Sequence, residues 1–212
     1  VDPNNPFLTS RDDPALELAK AGHASLIHLE DGSPWVAHLC GRPRGEAKGC
    51  LLGRETALQA CRWSTDGWLE LSQGGHHPAV KIPAPDLPES FPATDPVRDD
   101  FNEDRLRGCY QSLRIPIHPD WCDMTSRPGW LRLHGQESPT SHLNQSLIGR
   151  RVERLPATAT VCMEFEPRSY QHAAGLSAFY NTAHNHTLRL TYDPERGKAL
   201  ELLTTDQGIV SR

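Results

Sequence analysis

A proline-rich segment between residues 78 and 98 constrains the fold of this chain more than any other feature. Its six prolines are Pro78, Pro83, Pro85, Pro88, Pro92 and Pro96. Because proline has no backbone N–H and a fixed φ, this segment cannot be a central strand of a sheet. We interpret residues 78–98 as a stiff, extended linker, with one domain in residues 1–77 and another in residues 99–212.

Short apolar runs with turn residues between them indicate β-strands before the linker. The predicted strands are residues 24–29, 35–39, 56–63 and 68–71. Gly32 and Gly67 lie in the tight turns that separate them, so antiparallel hairpins are expected. Four such strands make one blade of a β-propeller, but half of a β-sandwich has the same number.

The region after the linker also has the pattern of an all-β domain. The predicted strands are residues 110–114, 130–134, 146–151, 160–165, 176–181, 187–192 and 199–205, and residues 206–212 run from a turn into a further strand. Half-exposed antiparallel strands are typical of a sandwich or jelly roll. The single helix candidate in the chain is residues 14–21, with Asp12 or Asp13 as its N-cap.

Composition excludes several classes of function. The formal net charge is −5, which argues against nucleic acid or an anionic membrane as a partner. No apolar run approaches the roughly 20 residues of a membrane-spanning helix. The six cysteines form no Cys-x-x-Cys pair, so a zinc ribbon is not expected. Cys61 and Cys162 lie in apolar runs and are predicted to be buried, reduced thiols, which favours a cytoplasmic location.

Two residues are the strongest candidates for binding a ligand. The guanidinium of Arg54 can donate to two vicinal hydroxyls or to a carboxylate, although a structural ion pair is the alternative. His23 stands beside Gly22 and Ala24, where it could hold a metal or a water, or be a hydrogen-bonded core histidine. Glu55 follows Arg54 on a strand and points to the opposite face, so we reject it as a catalytic acid.

Other histidines are less specific signals. The pair His76–His77 and the run 184–186 (His-Asn-His) could bind a metal adventitiously, but neither has a companion carboxylate cluster, and we interpret both as solvated. His38, with residues 41–43, is expected in a loop that either lines a site or only turns the chain. No nucleotide-binding, zinc-protease or serine-hydrolase motif is present.

Several longer motifs resemble a known family, glycoside hydrolase family 43, and most closely its β-xylosidase branch. The motifs that resemble its last propeller blade are GHASL (22–26), WVAHLCGRP (35–43) and LGRETALQ (52–59). The motifs that resemble the C-terminal concanavalin-like β-sandwich of that branch are RDDF (98–101), QSLRIP (111–116), RPGWLRL (127–133), AGL (174–176) and YNT (180–182). The resemblance implies the end of a five-bladed propeller, a linker and the start of the sandwich.

That resemblance also implies an activity. The family hydrolyses β-1,4-xylosides from the non-reducing end by inversion, and some members cleave α-L-arabinofuranosides. Its three catalytic carboxylates come from earlier blades, so no catalytic residue can be assigned here. We expect the chain to be a fragment that does not hydrolyse substrate by itself. The alternative is a sandwich module that binds carbohydrate through Trp121 or Trp130 without catalysis.

The family pattern assigns roles to two residues of this sequence. Arg54 matches the arginine that binds the glycone, the sugar at the non-reducing end. His23 matches a histidine at the propeller centre, where metal-dependent members hold a divalent cation such as calcium; no other cofactor is implied. The loop between Arg42 and Cys50 is shorter than is usual in this branch, which leaves the choice between xylo-oligosaccharide and arabinoside open. Homo-oligomer formation is left open as well.

Overall fold

The computed structural model of the protein describes residues 5–46 and 48–212. Within this part of the chain all regular structure is β-strand, which confirms the all-β prediction. No helix in it is long and apolar enough to cross a membrane. The chain divides into two compact units, Val1–Pro92 and Ala93–Arg212. Each unit is described by itself below, and the bounds given above for the linker stay a prediction.

The first unit contains one antiparallel sheet of four strands. They are β1 (Ala19–His28), β2 (Pro34–Gly41), β3 (Glu55–Trp63) and β4 (Leu69–Leu71), in the order β1-β2-β3-β4. Each strand pairs with the next along the chain, and the four strands predicted before the linker are confirmed. The sheet therefore has the up-and-down topology of a propeller blade.

The predicted helix over residues 14–21 is wrong. Asp13 starts a turn, because its carboxylate accepts a hydrogen bond from the Ala15 amide at 2.8 Å. The chain then enters β1, where Ala19 pairs with Gly41, and the Ala21 amide donates to Ser10 Oγ at 2.9 Å. A helix of eight residues is marginal without tertiary support, and pairing with β2 satisfies the backbone instead.

The core of the first unit lies on one face of this sheet. Leu8, from the segment before β1, packs against Val36, Cys61 and Leu71. The buried side chain of Gln59 also faces this side: its Nε2 donates to the Ala79 carbonyl at 2.9 Å, and its Oε1 accepts from the Ala79 amide at 3.0 Å. Both ends of the unit are therefore fixed to the same face of the sheet, with the buried amide satisfied.

The second unit contains one larger sheet and two small ones. The larger sheet has the order β12-β11-β10-β9, formed by β9 (Ala174–Asn181), β10 (His184–Asp193), β11 (Gly197–Asp206) and β12 (Ile209–Ser211). The small sheets pair β5 (Tyr110–Ser112) with β8 (Ile148–Arg150), and β6 (Cys122–Asp123) with β7 (Arg132–Leu133). The four strands predicted from residue 176 onward are confirmed.

The prediction for residues 160–165 is wrong, since that segment is not a strand. Glu164 there forms an ion pair with Arg127 at 2.6 Å, and Cys162 is exposed rather than buried. The corresponding prediction for Cys61 is confirmed, and burial raises the pKa of its thiol to about 11. An apolar run forms a strand only where a neighbouring strand completes its hydrogen bonds, which local sequence does not report.

The two faces of the larger sheet differ in a way that the alternating pattern does not predict. Leu188 lies opposite Leu202 on one face, and both side chains are exposed. Arg189 pairs with Glu201 on the other face, where Thr191 is buried. The pattern identifies which residues share a face, whereas burial depends on what packs over that face.

We expect Leu71→Ala to destabilise the first unit by about 2–5 kcal/mol, because the side chain is 0% exposed and its loss leaves a cavity. Urea unfolding followed by circular dichroism measures the loss. Leu51→Ala removes an exposed leucine of the same unit and serves as the control. Equal midpoints for the two variants would show that this core does not stabilise the unit.

We expect Gly175→Ala to destabilise the second unit by about 3 kcal/mol. A Cβ at residue 175 would lie 2.0 Å from the Leu188 carbonyl oxygen and 2.7 Å from Arg189 Cα, so β9 would have to move away from β10. Gly135→Ala is the control, because a Cβ there meets no atom within 4 Å. A urea midpoint that is unchanged in Gly175→Ala contradicts the close strand packing described here.

Candidate functional site

His23 lies in an irregular part of β1. The register of β1 against β2 shifts between Ala19 and Gly22 and again between Gly22 and Ser25, and His23 has a φ of +52°. Positive φ is uncommon for a residue other than glycine. A bulge of this kind redirects a side chain out of the regular alternation, and the His23 side chain is exposed.

Arg54 lies immediately before β3, at the end of a tight turn. The Gly53 amide donates to the Cys50 carbonyl at 2.9 Å, and Gly53 has a φ of +76°, a conformation that glycine adopts without steric cost. The Gly53–Arg54 pair therefore lies at a turn that leads directly into β3. The turn presents Arg54 at the end of the sheet, where it is exposed.

Strand register brings His23 and Arg54 to the same end of the first sheet. Gly22 pairs with Leu39, and Leu39 pairs with Thr56, so these three residues form a row across β1, β2 and β3. Adjacent strands lie about 4.8 Å apart, which puts the backbones of Gly22 and Thr56 about 10 Å apart. Arg54 lies two residues before Thr56 and His23 one residue after Gly22, so both candidate residues belong to this end of the sheet.

The same end of the sheet carries an ion pair that occupies Glu55. Arg42 Nε and Nη2 donate to the two carboxylate oxygens of Glu55 at 2.9 and 2.6 Å. This hydrogen bonding raises the pKa of Arg42, and the bidentate geometry occupies both carboxylate oxygens of Glu55. Glu55 therefore has a partner of its own, in agreement with its rejection as an acid.

The loop between β2 and β3 folds back on the end of β2. A Cβ at Gly41 would lie 2.7 Å from Cys50 Sγ, so any larger residue there would have to displace the Cys50 side chain. Within the loop, the Arg44 amide donates to the Gly49 carbonyl at 2.9 Å. This short hairpin places residues 50–53, and hence Arg54, beside the end of β2. Ala47, in the same loop, lies outside the described residues.

His38 does not lie in a loop, which corrects the sequence-based interpretation. It is part of β2, its side chain is 1% exposed, and its Nδ1 lies 3.0 Å from the Leu39 carbonyl oxygen. Alternation along β2 puts His38 on the core side, together with Val36 and Cys40. It is therefore a core histidine rather than a residue that lines the surface site.

Six carboxyl groups in the described part of the chain have a pKa that is lowered from its ordinary value. They are Asp12, Asp31, Asp123, Glu137, Glu164 and Asp193. Hydrogen bonds from hydroxyl, imidazole, guanidinium or backbone donors lower each pKa by stabilising the anion. A general acid needs a raised pKa, so none of these six groups has the environment of a glycosidase acid.

The described residues bring three metal-ligand side chains together in one place, and His23 is not among them. The group consists of Asp12, His76 and His77. The sequence indicates no companion carboxylate cluster for His76 and His77, but one carboxylate, that of Asp12, approaches them from a segment 64 residues earlier in sequence. Calcium prefers oxygen ligands, whereas His23 supplies an imidazole, so a cation at His23 stays a prediction.

Two family models match consecutive parts of the chain. Residues 1–69 match glycosyl hydrolases family 43, and residues 98–212 match the beta xylosidase C-terminal concanavalin A-like domain. The second match covers more than half of the chain.

Individual relatives agree with these matches. A beta-xylosidase of Bacillus subtilis is 40% identical over 97% of this chain and 40% of its own length. A xylosidase/arabinosidase of Humicola insolens is 35% identical over 85% of this chain and 33% of its own length. The crystal structure of a xylan beta-1,4-xylosidase of Bacillus halodurans matches with a TM-score of 0.92 and 42% identity, over 99% of this chain and 40% of that one.

The chain thus spans about two fifths of the length of the two Bacillus proteins described above. The similarity confirms the predicted architecture, a propeller blade followed by strands of a concanavalin-like sandwich. On the matched segments and the shared fold, this chain belongs to glycosyl hydrolases family 43.

Proposed function

We propose that this chain is part of an exo-acting glycoside hydrolase that degrades xylan by releasing xylose units from the non-reducing end. The observation that carries the proposal is the row formed by Gly22, Leu39 and Thr56, which puts His23 and Arg54 at one end of the blade. The 40% identity to a beta-xylosidase over almost the whole chain supports xylosides as the substrate class.

Arg54 has the chemistry required to hold the terminal sugar. Its guanidinium offers five donors in a planar arrangement, which suits the adjacent hydroxyls of a pyranose. Charge-assisted hydrogen bonds of this kind are short and directional, so they fix the orientation of the ring. The tight turn at Gly53 and the start of β3 position the Arg54 backbone before substrate arrives, which lowers the entropy cost of binding.

Such a residue assists hydrolysis without reacting. In an inverting glycosidase, one carboxyl group protonates the leaving oxygen and a carboxylate activates water on the opposite face of the sugar. Hydrogen bonds to ring hydroxyls that strengthen as the sugar distorts stabilise the transition state more than the bound substrate. We assign this contribution to Arg54, and a neighbouring contact with the sugar to His23.

The second candidate substrate is an α-L-arabinofuranoside. The Humicola insolens relative, described as a xylosidase/arabinosidase, favours this alternative. The short loop between β2 and β3 lies at the end of the sheet where Arg54 is located, and its shape would affect which sugar fits. Rates on the nitrophenyl β-xyloside and the nitrophenyl α-L-arabinofuranoside, measured with the intact enzyme that contains this chain, separate the two activities.

We expect Arg54→Ala in the intact enzyme to lower kcat/KM by about 100- to 1,000-fold, because a charge-assisted hydrogen bond in the transition state is lost. Arg54→Lys keeps the charge but loses the planar arrangement of donors, so its kcat/KM should lie between those of Arg54→Ala and the wild type. Arg62→Ala, at the other end of β3, removes a guanidinium that pairs with Glu70 and should leave the rate unchanged. Wild-type kinetics in Arg54→Ala would refute the assigned role.

We expect residues 1–212 alone to release no nitrophenol from an aryl xyloside above a buffer control. The six carboxyls with shifted pKa values are all held as anions, and the family resemblance assigns the catalytic carboxylates to earlier blades. A spectrophotometric assay with the intact enzyme as positive control measures the difference. Steady release of nitrophenol by the purified chain would contradict this expectation.

A further inference from the structure

Asp12, His76 and His77 form a compact group that includes neither of the candidate sugar-binding residues, His23 and Arg54. His76 Nε2 lies 2.7 Å from Asp12 Oδ2, and His77 Nε2 lies 3.1 Å from Asp12 Oδ1. The two imidazole rings meet edge to face, with centroids 4.5 Å apart. One ligand atom from each residue lies within 4.8 Å of the other two.

These separations fit the coordination sphere of a small transition-metal ion. Bonds of about 2.1 Å in a tetrahedral arrangement put neighbouring ligand atoms about 3.4 Å apart. The observed contacts of 2.7 and 3.1 Å between the imidazole nitrogens and the Asp12 oxygens are close to that value, so small side-chain rotations suffice to admit an ion. Two imidazole nitrogens and one carboxylate suit Zn²⁺, Co²⁺ or Ni²⁺, whereas Ca²⁺ prefers a set made up of oxygen atoms.

The fold holds the three residues together from two distant parts of the chain. Asp12 precedes β1, and the histidines follow β4, 64 and 65 residues later. The Thr9 amide donates to the His76 carbonyl at 2.8 Å, and Gln73 Nε2 donates to the His77 carbonyl at 3.3 Å. Leu8, one residue before Thr9, packs against Leu71 in the core, so both segments are anchored beside the group.

The group is also accessible to an ion. The side chains of Asp12, His76 and His77 are between 38% and 53% exposed, so a metal can enter, and water can complete its coordination.

We propose that Asp12, His76 and His77 form a binding site for a divalent transition-metal ion of the zinc class, which joins the segment before β1 to the segment after β4. The site is separate from His23 and independent of the proposed hydrolase activity. Its three protein ligands come from the two segments that cover the core face of the sheet. A bound ion would therefore fasten both segments over the core of the first unit.

The test is isothermal titration of the 212-residue chain with ZnCl₂ at neutral pH in a buffer that does not chelate metals. We expect one Zn²⁺ per chain and a loss of affinity of at least about tenfold in His76→Gln, His77→Gln and Asp12→Asn. Glutamine can still donate to the Asp12 carboxylate, so these variants should keep the metal-free fold. Circular dichroism without metal checks this, and Co²⁺ substitution gives a visible absorption band as a second readout.

Two controls distinguish this site from other sources of binding. His184→Gln alters an exposed histidine 3.7 Å from Asp206 and should bind Zn²⁺ like the wild type. The chain in concentrated guanidinium chloride should lose the affinity, because Asp12 is then no longer near the histidines. The proposal would be overturned if the chain did not bind Zn²⁺, or if it bound Zn²⁺ equally well when denatured. It would also be overturned if His76→Gln and His77→Gln bound Zn²⁺ as tightly as the wild type.

Discussion

The register of β2 against its two neighbours is the constraint on which the rest of the first unit depends. Val36, His38 and Cys40 face the core, and Leu39 lies in the row that connects Gly22 to Thr56. Successive side chains on a strand point to opposite faces, so a slip of one residue would exchange the buried and exposed sets. The same pairing therefore determines both the core and the position of the candidate sugar-binding residues.

Both ends of the first unit depend on the core face that this register creates. The segment before β1 contributes Leu8 to the core. The segment after β4 is held to the sheet by hydrogen bonds between the Gln59 side chain and the amide and carbonyl of Ala79. The group formed by Asp12, His76 and His77 lies beside these two attachments. The proposed metal site therefore results from the packing of the segments before β1 and after β4 on the core face. The position of Arg54 results instead from the turn that leads into β3.

Local sequence was sufficient for features that depend on periodicity and turn chemistry. The alternation of residues 187–192 and 199–205 predicted β10 and β11, and Gly32 and Gly67 predicted the tight turns that separate strands of the first sheet. Long motifs such as residues 52–59 carried the family resemblance. These signals lie within a few residues of the feature that they predict.

Features that depend on distant partners could not be predicted in this way. Residues 14–21 had a cap and suitable composition for a helix, but pairing with β2 made the end of this segment a strand. His38 has the same local pattern as a loop residue, and only the register shows that it is buried. Nothing near His76 in sequence indicates Asp12, because the contact between them arises from packing around the core.

The loop between β2 and β3 has a consequence for the surface beside Arg54. The close approach of Gly41 to Cys50 and the bridge between Arg44 and Gly49 fix the base of the loop independently of its tip. Lengthening a loop costs little in closure entropy, so insertions at the tip leave strand register unaffected. A change in loop length would therefore alter the surface beside Arg54 while the strand pairing of the blade stays the same.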